Sequence, residues 1–203
     1  ECDWSSDVCS SDLKDFPENP PPEPTDTVEF RRYRHLYPQK FEYGRYSLIY
    51  AAGQENVAVV GRGTIDLQGD HPNFSKAELL KRGRTRQQAH FERPYGLTFV
   101  RCRQVQVRDI HLRKLAFWTQ DYLDCEDVLI DGISVDSLEQ DRNNDGIDID
   151  GSRRVRIANC LLNAGDDAIC LKANYRDCED IVITNCVASS YANGVSSAPP
   201  LTA

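Results

Sequence analysis

The sequence predicts an all-β chain folded as a right-handed parallel β-helix, a solenoid that is incomplete. Two observations carry that expectation. Short strand-like segments repeat at a nearly constant period, and no helical stripe of comparable length lies between them. The segments are CRQVQVRDIHL from Cys102, CEDVLIDGISV from Cys125, SRRVRIANCLL from Ser152 and CEDIVITNCVA from Cys178. Equivalent apolar positions Val105, Val128, Val155 and Ile181 are 23, 27 and 26 residues apart. Two residues on, Val107, Ile130, Ile157 and Ile183 repeat the pattern, so one face of each strand is aliphatic. Period-two alternation of Val and Ile bounded by Asn, Asp, Gly and Ser marks strands. A repeat of this length marks stacked supersecondary units whose coils share one core. Propeller blades need about 40 residues or more, and the leucine ladder of a leucine-rich repeat is absent.

Taken in order, the chain opens on a segment unlike protein. Asp3–Leu13 reads like a translated sequencing adapter, so residues 1–13 are set aside as an artefact. Residues 14–45 form an irregular N-terminal segment that includes the proline-rich Pro17–Pro24. The β-helix is expected over 46–195. An early coil lies at Val57–Leu67, and an excursion over about 68–94, rich in Arg, Lys, Glu and Gln, reads as a solvated loop or short helix. After Val195 the pattern stops, and Ser196–Ala203 carry no strand character. Those eight residues can be encoded as AGT TCG GCA CCG CCT CTC ACG GCG. One A restored before them gives Lys-Phe-Gly-Thr-Ala-Ser-His-Gly, which continues a coil, so 196–203 are expected to be a frameshifted tail.

The formal charge is −8; without Glu1, Asp3, Asp7 and Asp12 of the adapter-like stretch it is −4. Neither value supports nucleic-acid binding, and no apolar run is long enough to span a membrane. The arginine-rich Arg31–Arg34 and Lys81–Arg86 read as solvated faces. Among eight cysteines, Cys102 with Cys125 and Cys160 with Cys186 are one period apart and are expected to stack as buried thiols. No CxxC pair occurs, so no metal site is expected. Asn73-Phe74-Ser75 is a formal glycosylation sequon.

The chemistry is concentrated in NNDGIDIDG at Asn143–Gly151 and GDDAICLK at Gly165–Lys172. Asp145 precedes Asp166 by 21 residues and Asp167 by 22, a little under one coil. Stacked strands lie ~4.8 Å apart, so the three carboxylates can meet on one outer face if a turn or bulge at Gly165-Asp166-Asp167 re-aims one of two adjacent side chains. Glycosidic hydrolysis needs such a set: one carboxyl protonated, one ionised. Two other readings stand beside it. Asn, Asp and Gly also form the corners of solenoids, because they tolerate left-handed backbone. DRNNDG at Asp141–Gly146 matches the start of a calcium loop, although Ser152 stands where that loop requires Glu. Trp118 is either a sugar-stacking platform or a coil-edge aromatic.

The motifs resemble those of glycoside hydrolase family 28, the polygalacturonase and rhamnogalacturonase group. Asn143-Asn144-Asp145-Gly146 is similar to its N-T-D-G motif and Gly165-Asp166-Asp167 to its G-D-D motif, while Gly61–Asp66 and Arg93-Pro94 also fit. The resemblance implies a parallel β-helix enzyme that hydrolyses a pectin-like polysaccharide with inversion, without a cofactor. Asp166 would be the general acid; Asp145 and Asp167 would hold and deprotonate water. Asn143 would orient Asp145, and Lys172 would either lie near an anionic sugar or form a structural salt bridge. A monomer, extracellular or periplasmic, with no membrane or nucleic-acid partner, is expected. The family's G-H-G and R-I-K motifs have no counterpart here, and His35, His71, His90 and His111 have no catalytic neighbour in sequence. The 203-residue product is therefore expected to be inactive or nearly so. A polysaccharide lyase and a non-catalytic carbohydrate-binding or adhesin β-helix remain the alternatives.

Overall fold

The structure, a computed structural model, describes residues 47–72, 76–85, 93–137, 143–173 and 176–198. The adapter-like stretch, residues 14–45, the sequon, His35 and His90 lie outside the described residues. The chain winds through three parallel sheets in turn. The first contains β1 (Ser47–Ala52), β4 (Tyr95–Val100), β7 (Gln120–Leu123), β10 (Ile147–Asp150), β13 (Ile169–Lys172) and β16 (Val195–Ala198), paired in that order. The second contains β2 (Ala58–Val60), β5 (Arg103–Arg108), β8 (Glu126–Asp131), β11 (Arg153–Ala158) and β14 (Glu179–Thr184). The third contains β3 (Thr64–Asp66), β6 (His111–Arg113), β9 (Ser134–Asp136), β12 (Leu161–Ala164) and β15 (Val187–Ser190). Every strand pairs with its counterpart one coil away, which is the solenoid the repeat predicts. The excursion between β3 and β4 includes one short helix, α1 (Lys76–Lys81).

The register matches the aliphatic repeat. Val105, Val128, Val155 and Ile181 are consecutive partners, as are Val107, Ile130, Ile157 and Ile183. These ladders join Leu97, Phe99, Tyr122, Ile147, Ile149 and Ile169 of the first sheet in one continuous core. The cysteines extend it at the corners. Cys102 and Cys125 are buried on successive coils, Cys160 lies one coil from Cys186, and all six described cysteines are free. Between Cys125 and Cys178, Ser152 takes the same corner. Its hydroxyl accepts from Cys125 N at 2.8 Å and donates to Tyr122 O at 2.7 Å.

Each coil turns at left-handed residues that are themselves stacked. One corner repeats as Gly53, Arg101, Asp124 and Gly151, another as Asn56, Gln104, Asp127, Arg154 and Asp180, and a third as Asp109, Gly132, Asn159 and Asn185, all with φ between 50° and 66°. Asn, Asp and Gly hold that backbone at least cost. At the third corner the amides also bond along the stack, Asn185 Nδ2 to Asn159 Oδ1 and Asn159 Nδ2 to Asp131 Oδ1, each 2.7 Å. One expectation is corrected. Ser196–Ala198, which lack strand character in sequence, continue β16 by pairing with Cys170, Leu171 and Lys172 of β13. Parallel pairing is made by backbone groups, and the preformed edge of β13 overrides the weak propensity of Ser-Ser-Ala.

Candidate active site

The first sheet and the turns entering it build the site. Ile147 and Ile149 point into the core, so Asp148 and Asp150 take the outer face of β10. Asp148 pairs with Asp121 on one side and Cys170 on the other, and Asp150 pairs with Lys172. Before β10 and β13 run two stacked turns. Gly146 N bonds to Asp167 O at 2.9 Å, while Gly165 N and Asp166 N reach Asn144 O at 3.1 and 3.3 Å. Asn143 N donates to Asp166 Oδ2 at 2.9 Å. The two acidic motifs thus lie on adjacent rungs, and Asp166 and Asp167 both act electrostatically on Asp145.

Backbone angles separate the three candidate carboxylates from the corners. Asp109, Asp124, Asp127, Asp180, Asn159 and Asn185 have positive φ; Asp145, Asp166 and Asp167 are not among the positive-φ residues. Asn143 is, with φ 67°. The corner reading therefore accounts for Asn143 but not for the three aspartates. Gly146 is required for another reason, since a Cβ there would lie 2.5 Å from Ala168 O. Gly146→Ala is expected to cost about 1–3 kcal/mol of stability by overpacking two backbones. Urea unfolding checks this, and a midpoint equal to that of the parent would contradict it.

The local environments of the carboxyls differ. Asp145 is 5% exposed; burial pushes its pKa up, and the Lys172 ammonium, 3.1 Å from Oδ2, pulls against that. Burial also acts upward on Asp167, but hydrogen bonds from Ser196 Oγ (2.6 Å), Asn193 Nδ2 (2.8 Å) and Asn193 N (3.1 Å) reverse it and hold the carboxyl below its usual range. Asp121 is driven up to about 8, first by burial and then by Asp150. Asp148, fully buried, is raised by burial and contacts Lys172. Burial alone would lower Lys172, but Asp148 and Asp145 raise it, so its ammonium stays charged. The residues named from sequence, Asn143, Asp145, Asp166, Asp167 and Lys172, are thus gathered at one place. Of the described histidines, His111 lies on the third sheet.

Sequence reasoning missed three contributors. Asp148 and Asp121 share the outer face with Lys172, and the alternation in IDID would have placed Asp148 there. Arg93 is 1% exposed, lies 4.4 Å over the Phe117 ring, donates to Ala116 O at 3.1 Å and reaches Asn143 Oδ1 at 3.4 Å. Trp118 is engaged by its own neighbours. Phe117 stacks on it at 5.7 Å and 7°, Tyr95 meets it edge-on at 5.5 Å, and Lys172 Nζ sits 3.7 Å from the ring centroid.

The class the structure defines is a parallel β-solenoid with three carboxylates in turns on adjacent rungs. Solved structures share the fold. A polygalacturonase from Erwinia carotovora superposes with a TM-score of 0.65 at 16% identity, covering 93% of this chain and 53% of that one. A hyperthermoactive exopolygalacturonase from Thermotoga maritima gives 0.53 at 23% identity, covering 76% and 47%. The solenoid is accordingly a right-handed parallel β-helix. The model of glycosyl hydrolases family 28 matches residues 23–196, and the chain belongs to that family. Its relatives include polygalacturonases of Persea americana, 27% identical over 103 residues, and Chamaecyparis obtusa, 29% identical over 113 residues. These alignments cover 51% and 56% of this chain but only 21% and 22% of the relatives, so the chain spans about a fifth of their length.

Proposed function

We propose that the protein to which this chain belongs hydrolyses O-glycosidic bonds in a pectin-like polysaccharide with inversion of configuration. The observation that carries the reading is the stacking of Asn143–Gly146 on Gly165–Asp167, which brings Asp145, Asp166 and Asp167 together without making any of them a corner. Asp166 is the general acid. Its Oδ2 accepts the Asn143 N–H, so the proton for the departing glycosidic oxygen rides on Oδ1. Asp167, whose carboxylate accepts from Asn193 N and Nδ2, and Asp145 hold a water molecule, take its proton and direct its oxygen at the anomeric carbon. No cofactor enters this scheme. The protein acts as an extracellular or periplasmic monomer; among the described residues no helix is long and apolar enough to cross a membrane.

We read the tail from Ser196 onward as frameshifted. Sequencing the source DNA checks the tail. Expression of the frame-restored chain, assayed on pectic polymers with and without chelator, checks the activity. New reducing ends without unsaturated products are the expected result. Chelator-sensitive unsaturated sugars would instead establish lyase chemistry, and silence on every polymer would establish a binding module.

A further inference from the structure

We propose that Lys172 is a positioning residue for Asp145, seated on Trp118 and anchored by Asp148, and that it is not a group that grips the substrate. The proposal rests on the hydrolytic reading of Asp145 and deepens it. Three contacts fix the ammonium. Nζ lies 3.1 Å from Asp145 Oδ2, makes a short ion pair with Asp148 Oδ1 and sits 3.7 Å from the Trp118 ring centroid. Its side chain is only 11% exposed, and those of Asp145 and Asp148 are 8% and 0% exposed. A lysine meeting a uronate must offer free N–H donors to the cleft. Here two carboxylates and an aromatic face already surround the ammonium, and a partly buried cation is worth most to the anions it touches.

The stack extends beyond Lys172. Phe117 and Trp118 lie parallel, with Arg93 over Phe117 and Lys172 over Trp118. Each cation reaches one of the acidic turns: Arg93 bonds to Asn143, whose N–H holds Asp166, and Lys172 bonds to Asp145. The aromatic pair therefore separates two cations that each support a different carboxyl. Asp145 is packed among other titratable groups: Asp121 on β7, itself flanked by Asp150, Asp148 on β10, Asp166 and Asp167 in the turn before β13, and on β13 the Cys170 thiol, which faces Lys172. Lys172 is the cation in contact with it. Without that cation, burial would favour the protonated form, which cannot accept a proton from water.

The test reads the Asp145 carboxyl directly, by carbon NMR titration of aspartate-labelled chain, with Asp145→Asn assigning the signal. Lys172→Met is expected to move its midpoint upward by about 1–3 pH units, while Lys172→Arg keeps it near the parent value. Trp118→Leu, which leaves the charge but removes its seat, is expected to move it in the same direction by less. If Lys172→Met does not fold, the Trp118→Leu and Lys172→Arg titrations decide the matter, and an unmoved midpoint in Trp118→Leu overturns the proposal. In the frame-restored chain the acidic limb of kcat/KM should rise with the midpoint at unchanged KM. A KM increase of about tenfold with an unmoved limb would overturn positioning in favour of substrate binding. Absence of turnover on any pectic polymer would defeat the hydrolytic reading, while the carboxyl titration still decides the positioning role.

Discussion

Asp166→Asn in the frame-restored chain is expected to lower kcat on pectic polymers by about 10²–10⁴-fold, the usual contribution of a positioned general acid. The change removes the proton and little else. Asp166 is half-buried, and its Oδ2 accepts one backbone N–H, from Asn143, at 2.9 Å. An amide oxygen in its place accepts the same bond, so the stacked turns should survive and the unfolding midpoint should stay near that of the parent. KM should change little, because the lost interaction belongs to the transition state. Asp167→Asn makes the necessary contrast. In the 203-residue chain its carboxylate accepts from Ser196 and twice from Asn193, and an amide presents an N–H to one of those donors, so its melt is read in that chain and its activity in the frame-restored one. That variant should therefore lose both activity and some stability. Reducing-end assays with circular dichroism melts separate the two. If Asp166→Asn keeps more than about a tenth of the activity, Asp166 is not the acid.

The contrast between those two aspartates marks where sequence reading succeeds and where it stops. Period and alternation placed Val105, Val128, Val155 and Ile181 on one ladder, and the structure pairs them in that register. The same arithmetic put Asp145 one rung from Asp166 and Asp167. Spacing could not say which acidic or amide residues were corners, because corner and catalyst use the same residue types. The distinction lies in φ, positive at Asp124 and Asp127 and not at Asp145. Corners at Arg101, Gln104 and Arg154 were hidden for the opposite reason, since those side chains give no sign of left-handed backbone. The surroundings of Lys172 were hidden too. Trp118 and Asp148 reach it from different coils, 54 and 24 residues away in the chain. Pairwise chemistry at such separations follows from side-chain direction across rungs, which a period does not encode.

Because the ladders are the common support of all these groups, the largest stability effect should come from interrupting one. Ile130 is 0% exposed and sits between Val107 and Ile157 on the neighbouring coils. Ile130→Ala is expected to cost about 2–5 kcal/mol, the sum of lost apolar burial and the cavity left when neighbours relax only partly. In a solenoid each coil is stabilised chiefly by the coils beside it, so the loss should be felt as a local gradient. Amide hydrogen exchange should accelerate most in β5, β8 and β11, and less in β2 and β14 at the ends of the same sheet. The control is Val182→Ala, on β14, where the side chain is 54% exposed and faces away from the core. That substitution should stay within about 0.5 kcal/mol of the parent. Equal costs at Ile130 and Val182 would mean that the aliphatic ladder does not hold the coils together, and the stacking that aligns Asp145 with Asp166 would need another cause. A cost at Ile130 spread evenly over the sixteen described strands would show instead that the solenoid unfolds as one unit, with no coil able to open alone.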